Sequence, residues 1–144
     1  MATFDIRQVP DGADLADAHE VRYDVFVEEQ DVDESIEWDD LDAEATHLVA
    51  YAGDRPVGTA RLRESDPGVA KIERVAVRES YRDRGLGRDL MYELEDLARS
   101  GGMDEAVLHA QTRVEGFYRR LGYETVGEEF EEAGIPHVKM VKAL

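Results

Sequence analysis

The sequence predicts an α/β (α+β) fold, a mixed central β-sheet of about six to seven strands flanked by three to four helices. Three observations carry this expectation. Short apolar segments with strand-like pattern alternate with segments whose apolar residues recur at helical spacing. The chain has 144 residues, near the size at which about 68–70% of the unfolded surface is buried, so it can build one real core. No internal repeat, low-complexity linker or composition break divides it, so residues 1–144 are read as a single domain.

Thr3 to Gln8 reads as a short strand with Phe4 and Ile6 on one face, followed by a turn at Pro10-Asp11-Gly12. A helix is expected from about Asp14, with Leu15, Ala18, Val21 and Val25 on its apolar side. Residues 28–44 carry ten acids and no base and show no period, which predicts a loop or frayed helical segment. Thr46–Ala52 and Pro56–Arg63 form a hairpin around Gly53-Asp54, and Val69–Val77 is the next strand after a turn at Asp66-Pro67-Gly68. Gly85–Arg99 is a helix with Leu86, Leu90, Met91, Leu94, Leu97 and Ala98 as its buried stripe, ended by Ser100-Gly101-Gly102. A strand over Glu105–Ala110 and a short helix over Val114–Leu121 follow. The chain closes with strands at Tyr123–Glu128 and His137–Val141, on either side of a turn at Gly134-Ile135-Pro136.

There are 34 acidic and 17 basic residues, a net charge of -17, and no cysteine. The missing cysteines remove disulfides, thiolate metal sites and a cysteine nucleophile, and give no sign of an oxidising compartment. No apolar run approaches ~20 residues, so no membrane span is expected. The start MATFDIRQVPDGAD lacks a basic start and an apolar stretch, so no signal peptide is expected and the expected location is cytoplasmic. Duplex nucleic acid is disfavoured as a partner, because neutralising phosphates needs clustered Lys and Arg. Asn is absent and Arg far outnumbers Lys. That balance resembles halophilic proteins, in which molar salt shortens the screening length to about 3 Å; an ordinary acidic protein from a GC-rich genome is the alternative. Asp31, Asp33, Ser35 and Glu37 mimic the start of a calcium loop, but Ile36 occupies the required glycine position, so no metal site is expected.

Charge distribution is more informative than its sum. Residues 1–70 carry -14 and residues 89–144 carry -6, whereas residues 71–88 carry +3. This positive island ends in Arg82-Asp83-Arg84-Gly85-Leu86-Gly87-Arg88, where a buried strand passes through a glycine loop into a helix. Helix N-termini present unpaired N–H groups and a partial positive charge, and glycine lets an anion approach the backbone. R-x-x-G-x-G in that setting suits a pyrophosphate. A glycine-rich helix entry with surface arginines is the structural alternative.

The segment V-A-V-R-E-S-Y-R-D-R-G-L-G-R resembles the acetyl-CoA signature of the GNAT N-acetyltransferases, and Gly116 to Tyr123 resembles that superfamily's C-terminal aromatic element. Arg22 to Gln30, His47, Gly58-Thr59-Ala60-Arg61, Ala110-Gln111 and Gly134-Ile135-Pro136-His137 are similar to the ElaA/YjcF-like acetyltransferases. The resemblance implies the GNAT fold, acetyl-CoA as cosubstrate and a primary amine as acceptor, with direct attack in a ternary complex. It implies that Val75, Ala76 and Val77 bond the pantetheine arm, and that residues 82–88 (Arg82, Asp83, Arg84, Gly85, Leu86, Gly87 and Arg88) hold the pyrophosphate. Gln111, an expected cofactor-binding residue, stands where many members have asparagine, which leaves open the side chain that orders pantetheine or substrate near Tyr118. Tyr118 occupies the position of the general acid that protonates the leaving thiolate. Its alternative is a core tyrosine beside Phe117.

The base is open. Strand period puts Glu73, Val75 and Val77 on one face, so Glu73 is a candidate base, or else pairs with an arginine. His47 and His137 are further candidates, and with Glu29, Gln30 and Trp38 they are the expected acceptor-binding residues. The acidic run is either a wall attracting a cationic amine or a solvated loop. A non-catalytic acyl-CoA-binding module of the same fold and an acidic-loop interaction protein are the rival functions. The oligomeric state stays open, a homodimer included.

Overall fold

The computed structural model describes residues 4–33 and 41–144. Its strands form one seven-stranded mixed sheet with spatial order β1-β2-β3-β4-β5-β7-β6. These are β1 (Asp5–Gln8), β2 (Thr46–Ala52), β3 (Arg55–Asp66), β4 (Val69–Val77), β5 (Glu105–Gln111), β6 (Glu124–Glu132) and β7 (Ile135–Ala143). The described α-helices are α1 (Ala16–Arg22), α2 (Leu86–Ser100) and α3 (Glu115–Arg120). The α/β class and the mixed sheet expected from sequence are both present.

All neighbouring strands are antiparallel except β4 and β5, which α2 joins in parallel. That pair is short. It runs only from Val69↔Glu105 to Ile72↔Leu108, and beyond it, among the described strands, β5 pairs with β7 alone. The two strands therefore part at Glu73 and His109, and a cleft opens between them.

Two layers cover the sheet. On one face, α2 lays Leu86, Leu90, Met91, Leu94 and Ala98 against Ala60, Leu62, Ile72, Ala106 and Leu108, all buried. The helix comes close because β3 presents Gly58, where a Cβ would lie 3.1 Å from Leu86 and 3.2 Å from Leu90. On the other face, Val21 and Val25 pack on Ala76. Here the structure departs from a plain amphipathic helix: α1 passes at Tyr23 into a π-helical turn, Tyr23–Glu29. The Gln30 amide bonds the Val25 carbonyl, five residues back. The wider turn admits one extra residue, so Val25, Phe26 and Gln30 all reach the cleft wall.

A second departure lies at the C-terminal hairpin. The turn is Ala133-Gly134, both with positive φ, and Pro136 sits inside β7 rather than in the turn. Pairing of β7 with β5 begins at His137, so a proline one residue earlier costs no bond on that side.

Candidate active site

The cleft between β4 and β5 encloses about 860 Å³. Its walls come from the π-helical turn, the diverging ends of β4 and β5, the loop before α2, the N-terminus of α3 and the β6–β7 hairpin. Val75, Ala76, Val77, Arg82, Asp83, Gly85, Leu86, Gly87, Arg88, Gln111 and Tyr118 all line it, so of the residues singled out for the donor and the leaving group all but Arg84 share one cavity. Gln30, Glu73 and His137 line it too.

β4 does not keep its period. Glu73 pairs with Arg61 and Ala76 with Thr59, so two residues, Arg74 and Val75, stand opposite one, and Arg74 has φ 56°. This is a β-bulge with a left-handed residue. It corrects the expectation that Glu73, Val75 and Val77 share a face: Ala76 now shares the face of Glu73. Among the described residues the β5-facing backbone edge of the bulge has no strand neighbour, and it opens into the cleft.

The glycine loop enters α2 through Gly85, whose φ of 80° is left-handed. A Cβ there would meet the Arg88 guanidinium at 2.8 Å. Gly87 has a different role, since a Cβ would press on the Phe117 ring at 3.3 Å; it lets α3 pack on α2. The arginines divide. Arg82 donates to both carboxylate oxygens of Glu29, each at 2.6 Å, and to the Val77 carbonyl at 2.9 Å. That pairing holds the Glu29 carboxyl below its ordinary pKa. Arg84 lies over the Tyr81 ring and Arg88 stays exposed beside Gly85.

Tyr118 is buried, edge-on to Phe117 and Tyr123. Burial pushes its hydroxyl up to about 12, so it holds its proton firmly. Gln111 donates to Gln30 at 2.7 Å and accepts from Arg113 at 2.8 Å, tying the π-helical turn to the end of β5.

Glu73 accepts from Arg61 at 2.9 Å and from Arg63 at 2.7 Å. Burial would raise its carboxyl, but these two guanidiniums outweigh it and hold it below the usual range. Arg61, fully buried, also donates to Asp42 at 3.0 Å, and the buried Arg22 donates to the same oxygen at 2.8 Å. His19 meets the other Asp42 oxygen at 3.0 Å. Burial favours the neutral Asp42 acid, yet Arg22, His19 and Arg61 together hold the carboxyl far below its ordinary value. Asp42 was hidden in the acidic run; the signal for it was Arg61, a charge set between Ala60 and Leu62 in β3.

Two expected acceptor residues stand apart from the cleft. His47 is buried on β2, and its Nε2–H donates to the Asp42 carbonyl at 2.9 Å. It braces the Asp42 turn, which corrects its assignment to the acceptor site; burial lowers its pKa and keeps it neutral. Glu29 is occupied by Arg82 and is not on the cleft wall. Trp38 lies outside the described residues.

Sequence reasoning passed over a cluster at the parting of the strands. His109 Nδ1 lies 3.0 Å from Glu132 Oε1, and its Nε2 lies 3.3 Å from Lys71 Nζ. Phe130 is edge-on to His109 and stacks on His137, whose Nδ1–H donates to the Ile135 carbonyl at 2.7 Å. A histidine interrupting the apolar run Ala106–Ala110 was the available signal.

Residues 13–144 match the family model described as acetyltransferase (GNAT) domain. The N-acetyltransferase YjcF of Bacillus subtilis, itself uncharacterised, is 45% identical over 129 residues, covering 89% of this chain and 91% of that protein. Among solved structures, an acyl-CoA N-acyltransferase from Pseudomonas aeruginosa superposes with TM-score 0.88 at 29% identity, covering 98% of this chain and 100% of that one. ElaA of Escherichia coli superposes with TM-score 0.83 at 26% identity, covering 97% and 99%.

Proposed function

The chain belongs to the GNAT acetyltransferase family, and on that premise we propose that it transfers an acetyl group from acetyl-CoA to a primary amine, on a small metabolite or a protein, by direct attack in a ternary complex. The observation that carries this reading is that the parted strands, the left-handed bulge of β4 and the Gly85 entry to α2 open onto one cleft. An extended arm can bond the edge that β5 leaves bare, and a pyrophosphate fits the amides at the start of a 15-residue helix. Acetyl-CoA supplies an activated acyl thioester.

The residues divide the work as follows. The backbone of Val75, Ala76 and Val77 aligns the arm, and an N–H of the bulge faces the acyl oxygen as charge develops on it. Gly85, Leu86 and Gly87 offer amides, and Arg84 and Arg88 add charge; Arg82 serves by fixing Glu29 and the end of β4. Tyr118 is protonated at rest, so its hydroxyl donates a hydrogen bond to the departing sulfur and passes the proton across as charge builds there. Gln30, Gln111 and His137 border the acceptor space. Glu73, held by two guanidiniums, acts there as a fixed negative charge attracting an ammonium.

Calorimetric titration of acetyl-CoA in molar KCl tests the reading, with Gly85→Asp as control. A side chain at φ 80° and a negative charge at the cradle abolish binding while the fold survives. A folded wild type that does not bind acetyl-CoA overturns the proposal. Thiol release with polyamines, amino sugars, amino acids and peptides then separates an enzyme from a non-catalytic acyl-CoA-binding module.

A further inference from the structure

Resting on the acetyl-transfer reading, we propose that Lys71, His109 and Glu132 form the proton-accepting device of the acceptor site, with Nε2 of His109 as the base. An amine reaches the site as an ammonium and must lose a proton before it can attack. Glu73, the carboxylate nearest the bulge, is a poor acceptor, because Arg61 and Arg63 already occupy it. His109 is the corresponding residue on the other arm, the first on β5 beyond the last pair with β4. Both line the cleft.

The three side chains set the imidazole for this role. Glu132 can only accept at 3.0 Å, so Nδ1 carries the hydrogen and Nε2 carries the lone pair. Lys71 Nζ, 3.3 Å from Nε2, donates to that lone pair at rest and withdraws from it when the amine docks, a single longer contact than the two guanidiniums that hold Glu73 at 2.9 and 2.7 Å. The charges facing the cluster are Arg63 from β3, Glu73 from β4, Glu132 from β6, and His137 and Lys139 from β7. Burial first, then Arg63 and Lys139, lower the Lys71 ammonium against the opposing pull of Glu73 and Glu132.

The step balances. The ammonium gives one proton to Nε2, and Glu132 stabilises the imidazolium through Nδ1–H. The neutral nitrogen then bonds the acyl carbon, the C–S bond breaks, Tyr118 gives its proton to the sulfur, and the second nitrogen proton restores the Tyr118 hydroxyl. The imidazolium proton passes to water, so each turnover yields amide, thiol and one proton. In this scheme His109 is catalytic, whereas Lys71 and Glu132 are positioning residues.

Nitrogen-15 NMR of the histidines in the full chain tests the arrangement without an acceptor. Neutral His109 is expected as the Nδ1–H tautomer, and Glu132→Gln, a change at a half-exposed side chain, weakens that tautomer preference. An Nε2–H tautomer, or a tautomer balance indifferent to Glu132→Gln, overturns the proposal. In turnover, His109→Gln lowers kcat roughly 10²-fold and removes the acid limb of kcat/KM, while acetyl-CoA affinity stays. Retention of kcat and of the acid limb in a variant that binds acetyl-CoA also overturns it. A wild type that binds no acetyl-CoA is a different failure, that of the acetyl-transfer reading itself.

Discussion

Asp42→Ala is the sharpest probe of how this chain builds its acceptor side. The carboxylate is shared by Arg22 at 2.8 Å and Arg61 at 3.0 Å, whose side chains are 1% and 0% exposed. Removing one partner of a buried ion pair costs about 3–5 kcal/mol, because the remaining charge stays desolvated. Arg61 keeps Glu73, and Asp42 is 14% exposed, so the expected loss is at the low end, about 3 kcal/mol. For a chain of this size that lowers Tm by roughly 6–12 °C. Asp42→Asn keeps the shape but not the charge and should lose nearly as much. Urea unfolding in molar KCl measures both, and a cycle with Arg22→Met isolates the pair.

The pH dependence has a definite sign. The folded carboxyl lies below its unfolded value of about 3.9, so its contribution is complete above that pH and fades as pH falls through the folded value. The gap between wild type and Asp42→Asn should therefore be full near pH 7 and shrink below about pH 4. A loss under about 1 kcal/mol at pH 7, or a gap that widens on acidification, refutes the buried-hub reasoning.

Other outcomes follow from the same geometry. Tyr118→Phe should lower kcat about tenfold or more with acetyl-CoA affinity unchanged; stopped-flow binding beside thiol release separates the two. Lys142→Met should cost about 3 kcal/mol, since Lys142 donates at 2.8 Å to Glu95, a carboxylate buried in α2 that Tyr123 also meets at 2.8 Å; thermal melts measure it. Gly58→Ala should cost about 1–2 kcal/mol by pushing on Leu86 and Leu90, with acetyl-CoA affinity falling if α2 shifts. Raising KCl toward molar should raise Tm, because the net charge of -17 repels itself; a flat or falling curve removes the halophile expectation.

What could be read from the chain alone follows the kind of signal each feature leaves. The α2 stripe repeats at helical spacing, and the glycine loop breaks the period at its start, so both helix and loop were legible. The π-helical turn was not, because one extra residue after Arg22 leaves Val25 and Phe26 looking like an ordinary helix. Pro136 marked a turn by its chemistry, whereas its place is decided by where β7 meets β5, a pairing distant in sequence. Asp42 sat among nine other acids, and composition cannot tell the one carboxylate that two buried arginines require. His47 and His109 are both histidines in apolar strands; only the sheet order puts one beside the Asp42 turn and the other at the cleft.

The bulge of β4 shows why the reacting geometry escapes a strand-period argument. Strict alternation from Glu73 would point Val75 and Val77 toward the acceptor face and keep every amide of β4 within a regular ladder. One residue in the left-handed region, Arg74 at φ 56°, hands that face to Ala76 instead. Val25 of the π-helical turn packs on that small side chain, and the same offset leaves the backbone near Val75 facing the bare side of the cleft. Two irregularities, each of one added residue, thus meet at one contact: the widened turn fills the space that the bulge makes. If so, replacing Ala76 with Val should disturb both, lowering stability by about 1–3 kcal/mol through overpacking against Val21 and Val25 and displacing Gln30 from Gln111. A variant as stable as wild type, with unchanged acetyl-CoA affinity, would show that the two features are independent.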